Sequence, residues 1–119
     1  VEVDVETGQV HVNDITFAHD CGRVIHPQIV EGQVLGGIIH GVGNALFEQM
    51  SYDENAQPLS MTLAEYLLVT STETPARLKF VHLESPTPLN ELGVKGVGET
   101  GVIPMTAAIA SAVDDALSP

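Results

Sequence analysis

A chain of 119 residues with 44% hydrophobic content amounts to one domain at most, with enough apolar mass for a core. Lys and Arg total 4 against 16 Asp and Glu, a formal charge of −12, which excludes a surface built to attract nucleic acid or anionic membrane. The cations Arg23, Arg77, Lys79 and Lys95 are scattered, and the single cysteine, Cys21, rules out an internal disulfide and fits a reducing, cytoplasmic compartment.

In chain order, Val1, Val3 and Val5 alternate as one face of a strand, and Thr7-Gly8-Gln9 returns it into Val10-His11-Val12 as a hairpin. This acidic, alternating opening is not a signal peptide. It lacks an initiator Met, and the far end stops at Ser118-Pro119 just past a helical pattern, so both ends read as cut from something longer. A second extended run, Asp14 to Asp20, leads into Cys21-Gly22-Arg23. Pro27 suits the first position of a helix, and Val30, Val34, Ile38, Val42, Ala45 and Leu46 recur at helical spacing, giving a helix over about 27–50. Tyr52 to Pro58 reads as a turn, and Thr62 to Leu68 is ambiguous, with a short helical turn as one option. Arg77 to Leu83 alternates as a strand. A last helix over about 104–117 begins at Pro104 and would bury Met105, Ala108, Ile109, Ala112, Val113 and Ala116. The class is α+β: mixed strands, one long glycine-rich helix and a C-terminal helix, with no internal boundary between 1 and 119.

The long helix holds an anomaly. Gly32, Gly36, Gly37, Gly41 and Gly43 lie in its interior, each at about 0.8–1 kcal/mol against Ala. Their sum approaches the net stability of a small domain, about 5–15 kcal/mol. Packing must offset it, so these glycines mark a face where another backbone or a ligand comes very near. Glu31, Gln33, His40, Asn44 and Glu48 interrupt the apolar run, and basic flanks are missing, so membrane insertion is not expected. Gln33 stands one turn from Gly37 and two from Gly41, where its amide has room to project, although a surface glutamine is the simpler reading.

Gly93 to Gly101 is the most informative stretch, with glycines at 93, 96, 98 and 101 around one carboxylate, Glu99. Glycines let a backbone approach a ligand closely, and a carboxylate fixed among them is a candidate general base. The competing reading is a plain turn, with Glu99 near the positive end of the following helix. Gly96 to Gly101 also spells GxGxxG, but a proline-broken loop precedes it and only 18 residues follow, against the strand and distant acidic residue that dinucleotide binding needs. No Gly-Lys-Ser/Thr triplet supports a phosphate loop. His19, Cys21 and His26 fall close together without completing a four-ligand set, so no metal ligation by side chains is expected. His40 and His82 read as packed or hydrogen-bonded, and His11 as a surface residue.

Three ordered segments carry a family resemblance: Asp20-Cys21-Gly22-Arg23-Val24-Ile25-His26-Pro27 with Glu31 to Gly37, Leu63-Ala64-Glu65-Tyr66-Leu67 through Thr74-Pro75, and Gly93-Val94-Lys95-Gly96-Val97-Gly98-Glu99. Together they resemble the C-terminal part of the molybdenum-binding large subunit of the xanthine dehydrogenase/aldehyde oxidase family, and Pro88 to Lys95 resembles its carbon-monoxide-dehydrogenase-like bacterial members most. The resemblance implies a fragment of a larger molybdopterin-binding domain. It implies Glu99 as the catalytic base beside the molybdenum, Gln33 on the pterin, and Lys95, Gly96 and Gly98 in the cofactor loop. It implies hydroxylation of an aldehyde or N-heterocycle with oxygen from water, or CO oxidation, with hydride passing to the cofactor. The cofactor would be a molybdenum-pterin, with the cytosine dinucleotide form as one option, and iron–sulfur clusters and FAD would lie on partner subunits beside the remainder of the molybdenum subunit. The copper-binding cysteine of the carbon monoxide dehydrogenases would lie in a segment not present here. By the same resemblance, 119 residues alone neither hold the cofactor nor turn over substrate. The alternative is a non-catalytic remnant serving protein association or assembly.

Overall fold

The computed structural model describes residues 1–118. Strands β1 (Glu2–Val3) and β2 (Val10–His11) form an antiparallel hairpin. Asp4 ends β1 early because its side chain accepts from Glu6 N at 2.9 Å and Thr7 N at 3.3 Å. Gly8, at φ +75°, closes the turn with a 2.7 Å bond from its N–H to the Asp4 carbonyl. Val5 therefore sits in the turn, 80% exposed, and does not share a face with Val1 and Val3 as alternation had implied.

Strands β3 (Asp14–His19) and β4 (Arg77–His82) pair in parallel, with Phe17 opposite Phe80 and His19 opposite His82. Parallel pairing needs a long crossover, and the connection includes helix α1 (Pro27–Leu46). At the open edge Arg77 forks onto Asp14, its Nη2 donating to Oδ2 at 2.6 Å. Ile15, Phe17, Leu78 and Phe80 point inward with His19 buried beside them, while Asp14, Thr16, Arg77 and Lys79 are exposed, so one face of the pair packs on the core.

Helix α1 starts where expected, with Pro27 at its first turn and His26 Nδ1 accepting from Ile29 N at 3.4 Å. It ends at Leu46 rather than near 50. The Gly43 carbonyl takes both the Phe47 and Glu48 amides at 2.9 Å, and the Glu48 carboxylate accepts the Tyr66 hydroxyl at 2.6 Å. That tertiary bond draws Glu48 off the helical path. Residues 62–66 make one turn, closed by the Thr62 carbonyl, and do not continue as a helix. A 3-10 turn at Ser71–Glu73 carries a full capping box between Thr70 and Glu73, a pattern legible in the sequence.

Helix α2 (Met105–Leu117) buries Met105 and Ile109. Ala112 and Val113 are half-buried, and Ala108 and Ala116 are exposed, contrary to the wider apolar stripe read from spacing. The core is small: Phe17, Val34, Ile38 and Met105, with Ile15, Leu78, Phe80 and Val97 against them. The Cα radius of gyration is 17.3 Å, against about 13.5 Å for a compact domain of this length. Residues 50–68 leave Met50, Tyr52, Leu59, Met61, Leu63, Leu67 and Leu68 exposed. Among the described residues no helix is long and apolar enough to cross a membrane.

Candidate active site

The glycine loop is fixed at both ends by backbone. At its start, Gly93 adopts φ +68° and its carbonyl accepts from Arg23 N at 3.1 Å and Thr87 N at 3.2 Å. Lys95 N donates to the Cys21 carbonyl at 2.8 Å, and Gly22 bridges Val94 in an antiparallel sense. Gly22 is itself at φ +68°, and any Cβ there would run into the Gly93 carbonyl. Residues 21–23 and 93–95 thus cross like two short strands, a pairing that no sequence spacing announced. The Asn90 side chain locks the same corner, accepting from Val94 N at 3.1 Å and donating to its carbonyl at 2.9 Å.

At its end the loop lies on α1. A Cβ on Gly37 would come within 2.8 Å of Gly101 Cα, and one on Gly101 within 2.9 Å of Gly37 Cα and Ile38 N. One turn on, Met105 covers Gly41, and Gly43 faces Glu48 and Val69. The expected close approach to the glycine-rich helix is therefore real at Gly37, Gly41 and Gly43, where the approaching atoms belong to the chain itself. Gly32, Gly36, Gly96 and Gly98 differ, because an added Cβ at each would meet nothing within 4 Å.

Between the anchors, Val97 packs on the core while Gly96, Gly98 and Glu99 are exposed. The Glu99 carbonyl accepts from Val102 N at 3.1 Å and Ile103 N at 3.3 Å, starting the turns that lead into α2. Its carboxylate pairs with no cation among the described residues. Gln33 is exposed on α1, next to Val34, whose carbonyl faces Gly101. The structure thus brings the loop carrying Lys95, Gly96, Gly98 and Glu99 onto the helix carrying Gln33. It does not leave the Lys95 ammonium free, since Nζ lies 3.2 Å from Asp20 Oδ2.

A second polar cluster escaped sequence reasoning. His82 Nδ1 lies 2.8 Å from His19 Nε2, and His82 Nε2 lies 3.4 Å from Glu31 on α1. An ionised Glu31 accepts from His82 Nε2–H, so His82 Nδ1 accepts from His19 Nε2–H. That assignment leaves the buried His19 Nδ1 as an unpartnered lone pair. Only the equal register of His19 and His82 on β3 and β4 brings these rings together. Burial first, then the neighbouring His82 charge, hold the His19 imidazole below its ordinary range, with Asp20 opposing weakly. The unfolded chain accepts a proton below about pH 6.5 that folded His19 refuses. Stability should therefore fall as pH drops from about 7 toward the folded value, and His19→Asn should flatten that slope. Thermal melting of the intact protein between pH 7.5 and 5.5 reads it, and an unchanged slope would remove His19 from the account. Of the remaining histidines, His11 is exposed as expected, while His40 is exposed rather than packed.

A cleft of about 560 Å³ lies between the hairpin, the end of α1 and residues 72–76. None of Gln33, Lys95, Gly96, Gly98 or Glu99 lines it. An open loop makes no cavity until something faces it, so the cleft's position does not argue against the loop. Among the described residues, no group of three or more His, Cys, Asp or Glu is placed to hold a metal ion.

A backbone-clamped glycine loop thus presents one exposed carboxylate, and the helix it lies on leaves Gly32 and Gly36 open. The molybdopterin cofactor-binding domain model matches residues 1–75, and the chain belongs to that family. It is 46% identical over its whole length to the nicotine 6-hydroxylase large subunit of Paenarthrobacter nicotinovorans. It is 39% identical, over 94% of the chain, to the carbon monoxide dehydrogenase large chain of Hydrogenophaga pseudoflava. Quinoline 2-oxidoreductase from Pseudomonas putida 86 superposes with a TM-score of 0.92 at 42% identity, over 97% of this chain. In each case the chain spans only 14% of the relative's length. These relatives are molybdenum oxidoreductases of the xanthine dehydrogenase and carbon monoxide dehydrogenase group, as the sequence resemblance implied.

Proposed function

We propose that this chain is the part of a molybdenum hydroxylase large subunit that supplies the catalytic base, Glu99, and one wall of the pterin site. One observation carries the reading: a loop pinned by Gly93 and Gly101 holds outward a carboxylate with no cation partner among the described residues, near glycines that no contact among those residues explains. The residues fit a large flat cofactor, because Gly32, Gly36, Gly96 and Gly98 leave open surface with no side chain to obstruct it. When bound, the molybdenum-pterin supplies the two-electron redox chemistry. The chain's own contribution is to orient and deprotonate. Glu99 Oε accepts a proton from the water-derived oxygen as that oxygen adds to substrate, and the fixed loop removes the cost of searching for that geometry. Gln33 would hold the pterin through its side-chain amide, and Gly96 and Gly98 would let the backbone approach it.

The rest of the subunit covers what this chain leaves bare. The 50–68 segment exposes apolar side chains that a lone domain would bury. The relatives' names as large chains and subunits support assembly with further subunits. Iron–sulfur clusters and flavin on those partners, the cytosine dinucleotide form of the pterin and a cytoplasmic place belong to the proposal through the family resemblance alone. Isolated, the chain lacks most of the cofactor site and is inactive, and it carries no internal domain boundary.

Gln33→Ala in the full-length subunit tests the pterin wall. The side chain is exposed here, so folding should be untouched while pterin and molybdenum content fall. Each lost hydrogen bond weakens retention by about 0.5–1.5 kcal/mol, roughly two- to twelvefold in affinity. Metal analysis at full occupancy in that variant would remove Gln33 from the site.

A further inference from the structure

One carboxylate joins three separate segments at the foot of the Glu99 loop. Asp20, just past β3, uses Oδ1 to accept from Gly22 N at 2.8 Å and Ser85 N at 3.2 Å, and sets Oδ2 3.2 Å from Lys95 Nζ. The first contact shapes the turn that lets Gly22 lie against Gly93. The second holds the stretch leading into the loop, and the third holds the loop itself. Asp20 is three-quarters covered and Lys95 nearly two-thirds, so the pair is shielded more than an ordinary surface bridge. Hydrogen bonds from Ser85 and then Gly22, with Lys95 adding to them, keep the Asp20 carboxyl well below the usual carboxylate range, so it stays ionised at any working pH.

Lys95 is the one cation between residues 93 and 103, and Glu99 stands four positions along the same loop. A loop whose lysine turned back on its own glutamate would neutralise the base it presents. We infer that Asp20 is a positioning residue for Glu99: it clamps the loop through Gly22, Ser85 and Lys95, and keeps the Lys95 ammonium occupied away from the base. This rests on Glu99 as base for its catalytic half, while the clamp stands on the contacts alone.

In the full-length subunit, Asp20→Asn keeps the side chain's size and its acceptor for Gly22 and Ser85, and withdraws only the charge that holds Lys95. Amide hydrogen exchange over residues 93–101 should speed up by about tenfold, with the amides of α1 and α2 unchanged. The kcat should fall by about tenfold with KM within twofold, because the contact acts on the base and not on substrate binding. Lys95→Gln should loosen the same amides, and because Lys95 lies outside the apolar core, this variant serves if Asp20→Asn folds poorly. The double variant should be no worse than Asp20→Asn, since both changes remove one interaction. Unchanged exchange over 93–101 in both single variants, or losses that multiply in the double, would overturn the inference. Normal turnover in Glu99→Gln together with a loosened loop in Asp20→Asn would instead retire Glu99 as base and leave the clamp standing.

Discussion

In the intact enzyme, Glu99→Gln is expected to lower kcat by about 10²–10⁴-fold, the range for loss of a general base. The amide has the shape of the carboxyl and can still hydrogen-bond, so binding contacts persist while proton acceptance is lost. Folding should be indifferent. Glu99 is exposed and unpaired among the described residues, and the loop's position depends on its backbone, on Gly93 and on Gly101. Molybdenum and pterin content should therefore match the parent, which separates lost chemistry from lost cofactor. Single-turnover reduction of the cofactor by substrate is the cleanest readout, because product release and electron exit do not enter it. Turnover within a few-fold of the parent would show that another group takes the proton.

Gly101→Ala should cause a large loss of stability. Its Cβ would press on the Val34 carbonyl and lie 2.9 Å from both Gly37 Cα and Ile38 N, all atoms of a helix backbone that cannot swing aside. Inserting carbon into a packed contact costs about 1–3 kcal/mol, and a clash with backbone belongs at the top of that range. The strain falls where the Glu99 loop meets α1, so activity and stability should drop together, as chemical denaturation and assay of one preparation would record. Gly36→Ala is the matched comparison. It lies on the same helix with nothing within 4 Å of the new methyl, so in the absence of a neighbour from outside this chain it should stabilise α1 by about 0.8–1 kcal/mol. Destabilisation at Gly36 of the intact subunit would mean that another segment or the cofactor presses there. Equal melting of Gly101→Ala and parent would refute the close packing of loop on helix.

Local chemistry settled much of this protein in advance. Pro27 with the Val30, Val34, Ile38 and Val42 spacing fixed where α1 begins and which face it buries, because apolar periodicity and proline's missing donor act over a few residues. The glycines and Glu99 of the loop marked a candidate site, because a backbone that approaches closely has to lack side chains. Composition bounded the partners, since phosphate attraction needs clustered cations and this chain has only four, scattered along it. Tertiary structure alone decided the rest. The parallel pairing of β3 with β4, the early end of α1 at Glu48 and Tyr66, and the His19–His82–Glu31 cluster each join residues far apart in sequence. Asp20 shows the same limit: one carboxylate in an Asp-x-Gly turn became the clamp of a loop 75 positions away only when folding brought Lys95 to it. Residue spacing encodes what a helix turn or a strand pleat repeats, whereas a contact closed across a long loop leaves no period to read.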